Sequence, residues 1–106
     1  MAVSDDDDDD LLDKFVDMVM TAQYEAAQAG KLSMWTIYNR PTDYPEGYIA
    51  RRHETGKDGT TATSMTMKSG NTDWHLNLLR TIFDSAGLVS IARHPDDDAN
   101  IVEVWM

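Results

Sequence analysis

Arg51, Arg52 and His53 stand in a row, and Arg40 lies one turn upstream of them. Together they are the one concentration of cationic chemistry in the chain. Paired guanidinium groups suit a bidentate anion such as a carboxylate or a phosphate. Tyr38, Tyr44 and Tyr48 fall in the same stretch, and tyrosine with arginine is a frequent source of binding energy at protein interfaces. The competing expectation is internal neutralisation by Asp43, Glu46, Glu54 or the aspartates at 96–98.

The other chemical candidates are weaker. His94 with Asp96, Asp97 and Asp98, joined by His53, offers imidazole and carboxylate, which suits zinc or manganese. These residues are adjacent in a loop and lack a helical i, i+4 ligand pair, so a solvated hairpin loop is expected and no metal is assigned. Asp5–Asp10 lacks the glycine and the spaced oxygen ligands of a calcium loop. Lys57 among glycines and threonines lacks the order of a P-loop. No Gly-x-Ser-x-Gly is present to place a serine against a histidine. The carboxylates cluster in runs rather than in contrasting environments that would separate their pKa values. Nothing in the spacing assembles a catalytic centre, and no cofactor is implied.

The elements that must position these residues follow from periodicity. Trp35 and Ile37 share one face of an extended Ser33–Asn39, with Met34, Thr36 and Tyr38 on the other. Pro41, Pro45 and Gly47 mark a rigid turn, and Pro41 biases Arg40 toward an extended shape. Tyr48–Glu54 forms a second strand with Arg51 and Arg52 on opposite faces. TGKDG (55–59) spells a tight reversal, and Thr60–Lys68 forms a third strand. Before this ribbon, Leu12, Phe15, Val16, Val19, Met20 and Ala27 make a helical stripe within Leu11–Ala29, closed by Gly30. After it, Thr72 or Asp73 caps a second helix whose apolar face includes Trp74, Leu78, Leu79, Ile82, Phe83 and Ala86, closed by Gly87. Leu88–Arg93 and Ile101–Trp105 are two further strands, the last with a wet side at Glu103. The order α-β-β-β-α-β-β predicts an α+β two-layer sandwich, a mostly antiparallel sheet of about five strands under two helices.

The segments WTIYNRPTDYP, YIARRHE and ARHPDDDANIVEVWM resemble a family of short, uncharacterised bacterial proteins. In that family a tryptophan strand, a Pro-x-x-Tyr/Phe-Pro turn and an Ala-Arg-Arg strand recur, and a final hairpin ends in Ile-Val-Glu-x-Trp. The resemblance spans 34–54 and 88–106 and implies a shared fold without an assigned activity. The first five elements also follow the order of double-stranded RNA-binding domains. The basic cluster those domains carry at the start of the second helix is replaced here by Thr72, Asp73 and Trp74.

Composition bounds the rest. A chain of 106 residues with 42% apolar content supports one domain, expected over 11–106 behind an acidic, flexible tail at 1–10. The net charge of −10 is uneven: residues 1–30 carry −8, residues 31–68 carry +2 and residues 69–106 carry −4. That balance argues against nucleic acid as the main partner. No apolar run approaches the ~18 residues of a membrane span. No basic, apolar leader pattern opens the chain. The absence of cysteine removes thiol chemistry and fits a reducing compartment. The expectation is therefore a non-enzymatic protein-interaction module of a bacterial cytosol. It would bind a protein partner or its own copy through Tyr38, Arg40, Tyr44, Tyr48, Arg51, Arg52 and His53. The alternative is a small anionic-ligand-binding domain or enzyme centred on Arg51, Arg52 and His53. A third expectation is that the acidic ends imitate nucleic acid toward a basic protein.

Overall fold

The structure, a computed structural model, describes residues 4–92 and 98–106, with side chains described from Leu11 onward. The elements are α1 (Ser4–Gln28), β1 (Leu32–Asn39), β2 (Tyr48–Gly56), β3 (Gly59–Lys68), α2 (Asp73–Ser85), β4 (Ser90–Ala92) and β5 (Ile101–Trp105). The five strands form one sheet in the order β3-β2-β1-β5-β4, and each pairing is antiparallel. This is the expected α+β arrangement, with β1 at the centre.

Both helices cover the same face of the sheet. Trp35 and Ile37 from β1 point into that layer, beside Ala50 of β2, Met67 of β3 and Trp105 of β5. Val19 and Ala22 of α1 and Leu79, Ile82 and Phe83 of α2 close over them. Phe83 lies between two tryptophans, its ring centroid 5.4 Å from Trp35 and 5.8 Å from Trp105. Tilted ring pairs of this kind add roughly 0.5–1.5 kcal/mol beyond the area they bury. The Trp35 indole N–H donates to Gln23 Oε1 at 3.1 Å, and Gln23 Nε2 donates to the Ser33 carbonyl at 2.9 Å. The central strand is thus tied to α1 by polar bonds as well as by packing.

The helix ends follow their sequence signals. Thr72 caps α2, its hydroxyl accepting from the His75 backbone N–H at 3.3 Å. Gly30 and Gly87 adopt φ of 72° and 88° after the two helices, the left-handed turn that glycine makes without a Cβ clash.

Four expectations are corrected. Helix α1 begins at Ser4, so the aspartate run lies within the helix and not ahead of it. Negative residues suit the positive end of a helix dipole, which offsets the poor helix propensity of aspartate. The expected α1 stripe holds at Leu12, Phe15, Val16 and Val19, which face the core, and departs at Met20 and Ala27. Val19, Ala22 and Ala26 are buried, while Met20 and Ala27 are exposed. Trp74 is 66% exposed, at a cleft that it lines with Leu11 and Leu12 of α1 and Met67 of β3. Finally, Glu103 is only 8% exposed. It pairs with Ile37 on the helix-covered face, so the wet side expected there is a buried one. Val102 and Val104 are half-buried beside it.

Candidate functional site

The turn between β1 and β2 is held from several directions. The Arg40 N–H donates to the Gly47 carbonyl at 2.9 Å, and the Tyr44 N–H to the Pro41 carbonyl at 2.9 Å. The Tyr44 hydroxyl donates to the Ser69 carbonyl at 2.8 Å, which anchors the turn to the β3–α2 connection. Gly47 packs so tightly there that a Cβ would lie 2.5 Å from the Ser69 carbonyl oxygen. Any larger residue would push the two segments apart. Arg40 has φ of 50°, a left-handed conformation and not the extended one expected before proline. The closing bond to Gly47 outweighs the local preference.

That turn delivers Asp43 to Arg51. Their side chains form an ion pair, and the neighbouring guanidinium lowers the Asp43 carboxyl below its ordinary value. The Arg51 guanidinium carbon also lies 5.1 Å from the centroid of the Tyr38 ring. Lys68 Nζ sits 5.4 Å from the centroid of Tyr44. Both are cation–aromatic distances. Arg51 shares the register with Thr36 and Thr66, and Ile49 lies between Tyr38 and Lys68. These residues occupy the sheet face that the helices leave uncovered. His53 follows on the same face, opposite Met34 and Ala62. Burial lowers its pKa, and this outweighs a hydrogen bond with the Arg51 backbone that raises it; the Arg51 charge also lowers it.

The expected site residues are divided by the strand period. Tyr38, Arg51 and His53 lie together on the uncovered face. Tyr48, 9% exposed, belongs to the core under the helices. Arg52 is 8% exposed and also on the helix side. Its Nε donates to Ser33 Oγ at 2.8 Å, and its NH2 reaches the Ala22 carbonyl at 3.4 Å and Glu54 at 3.4 Å. Arg51, Arg52 and His53 therefore do not converge on one anion. Arg40 is exposed at the turn, and among the described residues it forms no ion pair. Of the loop proposed for metal, His94, Asp96 and Asp97 lie outside the described residues. Among the described residues no group of three histidine, aspartate or glutamate side chains is placed to hold a metal ion.

A groove of about 540 Å³ lies between α1 and the strands β2 and β3, lined on the sheet side by Arg52, Glu54 and Met65. Asp17, Glu25 and Glu54 line it against Lys14 and Arg52. An anion entering it meets more like charge than opposite charge.

One polar centre was not foreseen from the sequence. Glu103 accepts from Arg80 NH2 at 2.9 Å and Nε at 3.1 Å, and from the Trp105 indole N–H at 2.7 Å. The carboxylate beside it raises the Arg80 pKa above its ordinary value. Each Glu103 oxygen has a partner, which is the state of a structural ion pair and not of a group free to exchange protons.

Comparison with protein-family models, curated proteins and solved structures found no match for this chain.

Proposed function

We propose that the chain is a small protein-interaction module whose contact surface is the uncovered sheet face around Tyr38 and Arg51. The observation that carries this reading is the Tyr38–Arg51–Asp43 cluster. It presents a cation and two kinds of acceptor on strands held rigid by the core behind them. Arginine and tyrosine on a firm scaffold bind at low entropic cost. The surface also carries the basic part of an otherwise acidic chain, which favours a partner with an acidic patch.

The alternative of an anionic small-molecule site has less support. Arg52 is committed to Ser33 and Glu54 on the far side of the strand. Arg51 already holds Asp43. The interaction reading is tested by placing a photo-crosslinking phenylalanine analogue at Tyr38 and, as a control, at Thr81 on α2. A discrete adduct with another protein from Tyr38 alone, abolished by Arg51→Glu, supports the reading. Equal labelling from both positions, or an adduct indifferent to Arg51→Glu, overturns it.

A further inference from the structure

A second surface lies on the opposite side of the molecule and is independent of the sheet-face reading. A cleft of about 370 Å³ lies between the N-terminal half of α1 and α2, above the end of β3. Its walls are apolar: Leu11, Leu12 and Phe15 from α1, and Trp74, Leu78 and Leu79 from α2. At its mouth Trp74 is 66% exposed and Leu11 is 54% exposed. Exposing a tryptophan and a leucine side by side costs solubility with no return in folding.

The charges around the cleft select the occupant. Exposed Asp13 and Asp73 stand next in the chain to the lining residues Leu12 and Trp74, whereas Lys14 lines the other groove and Arg80 is spent on Glu103. Lys68, at the sheet end of the cleft, is held over the Tyr44 ring. Directly ahead of Leu11 on the same helix, the sequence is six aspartates. Those six residues span about 9 Å of helix axis. An apolar slot with a long acidic approach repels nucleic acid, anionic lipid and hydrophobic anions. It matches a helix that is apolar on one side and basic on the other. The cleft has room for a few leucine-sized side chains but not for a whole helix, so the occupant inserts anchors and lies across the mouth.

We propose that the α1–α2 cleft docks a basic amphipathic helix of a partner protein, with apolar anchors packed against Trp74 and Leu11 and basic residues over the aspartate run. Consecutive aspartates in a helix repel one another at i, i+4. A basic partner relieves that repulsion.

The test uses the full chain and synthetic helical peptides. One has leucines at i, i+3, i+4 and i+7 with lysines elsewhere. The second has the same composition scrambled, and the third carries glutamates for lysines. Binding is followed by Trp74 indole shifts in nitrogen–proton correlation spectra and by fluorescence anisotropy. The expected result is saturable binding of the patterned lysine peptide alone, with shifts at Trp74, Leu11 and Leu78. Trp74→Ala should weaken it roughly tenfold, the loss expected of a central aromatic anchor. Trp74 is exposed, so this variant folds; its unfolding curve checks that. Replacing Asp5–Asp10 by asparagine should weaken binding at low salt and change little at high salt. Equal binding of the scrambled peptide reduces the effect to non-specific charge attraction and overturns the proposal. So does dimerisation of the chain that Trp74→Ala abolishes, because a second copy then fills the cleft.

Discussion

Arg51 and Arg52 are consecutive on β2, yet their side chains are 26% and 9% exposed, on opposite faces of the sheet. Arg51 meets an open carboxylate and an aromatic ring, both in reach of water. Arg52 lies beneath α1 and binds a hydroxyl, a carbonyl and a carboxylate. The helix-covered face carries a second such group in Glu103, held by Arg80 and Trp105. On that face polar groups are few, buried and fully partnered. On the uncovered face Arg51 and His53 are half-buried, and Asp43, the partner of Arg51, is open to water. A charge under the helices fixes the structure around it, whereas a charge on the open face is available for exchange with a partner. The contrast predicts that substitution will cost stability on one face and recognition on the other.

The largest effect should come from Arg52→Ala. It removes a buried stem and leaves Ser33 Oγ without its partner. A loss of about 3 kcal/mol is expected in urea unfolding, within the range for buried ion-pair and packing deletions. Arg52→Met restores the packing and should recover about half of it. A loss no greater than that of Arg51→Ala would erase the distinction between the faces.

Glu103→Ala should follow at about 2 kcal/mol, because the buried Trp105 indole N–H loses its acceptor. Arg80 is 40% exposed and can turn to water, which limits the cost. Glu103→Gln keeps an acceptor for the indole and should cost less. In thermal unfolding the alanine variant should melt roughly 10 °C lower.

Much of this was legible in the sequence, and the reasons are local. Trp35 and Ile37 alternate with polar neighbours, Phe83 sits on a clean helical stripe, and Thr72, Gly30 and Gly87 carry their capping chemistry openly. Glu103 was misread because β5 has apolar residues on both faces. Ile101 and Trp105 flank it at period 2 in the sequence, with Val102 and Val104 between, and a register shift that pairs Ile101 with Tyr38 breaks the alternation further. Alternation alone cannot say which face the helices will cover. Trp74 failed for a different reason. It fits the α2 stripe by spacing, but at that end of the helix a cleft, and not close packing, lies beneath the stripe. The cationic row at 51–53 read as one site because adjacency in sequence was given more weight than the strand period that separates it. The Arg80–Glu103 pair joins residues far apart in the chain, and no spacing announces it.

A smaller effect belongs to His53 and reports on the uncovered face directly. Its ordinary value is near 6.5, and burial lowers it in the folded chain. Below that ordinary value the unfolded chain binds the proton more readily than the folded one. Stability should therefore be complete above it and fall as pH drops through 6.5 toward the folded value. Urea unfolding at about pH 7.5 and about pH 5.5 should show this decline, and it should shrink in His53→Gln. An unchanged slope in the variant would place the titrating group elsewhere.

The smallest expected effect is the coupling of Arg51 with Asp43, and it bears most closely on function. The lowered Asp43 carboxyl contributes stability above its ordinary 3.8, and that contribution is lost as pH falls through the folded value. Because Asp43 is open to solvent, the pair is screened and side-chain ordering offsets its attraction. A double-mutant cycle should find weak coupling at low salt and none at high salt. Weak coupling is what a contact surface requires: a partner's carboxylate can then displace Asp43 from Arg51 at little cost. Strong, salt-resistant coupling would make Arg51 a structural residue like Arg52. The uncovered face would then lose its cation for recognition.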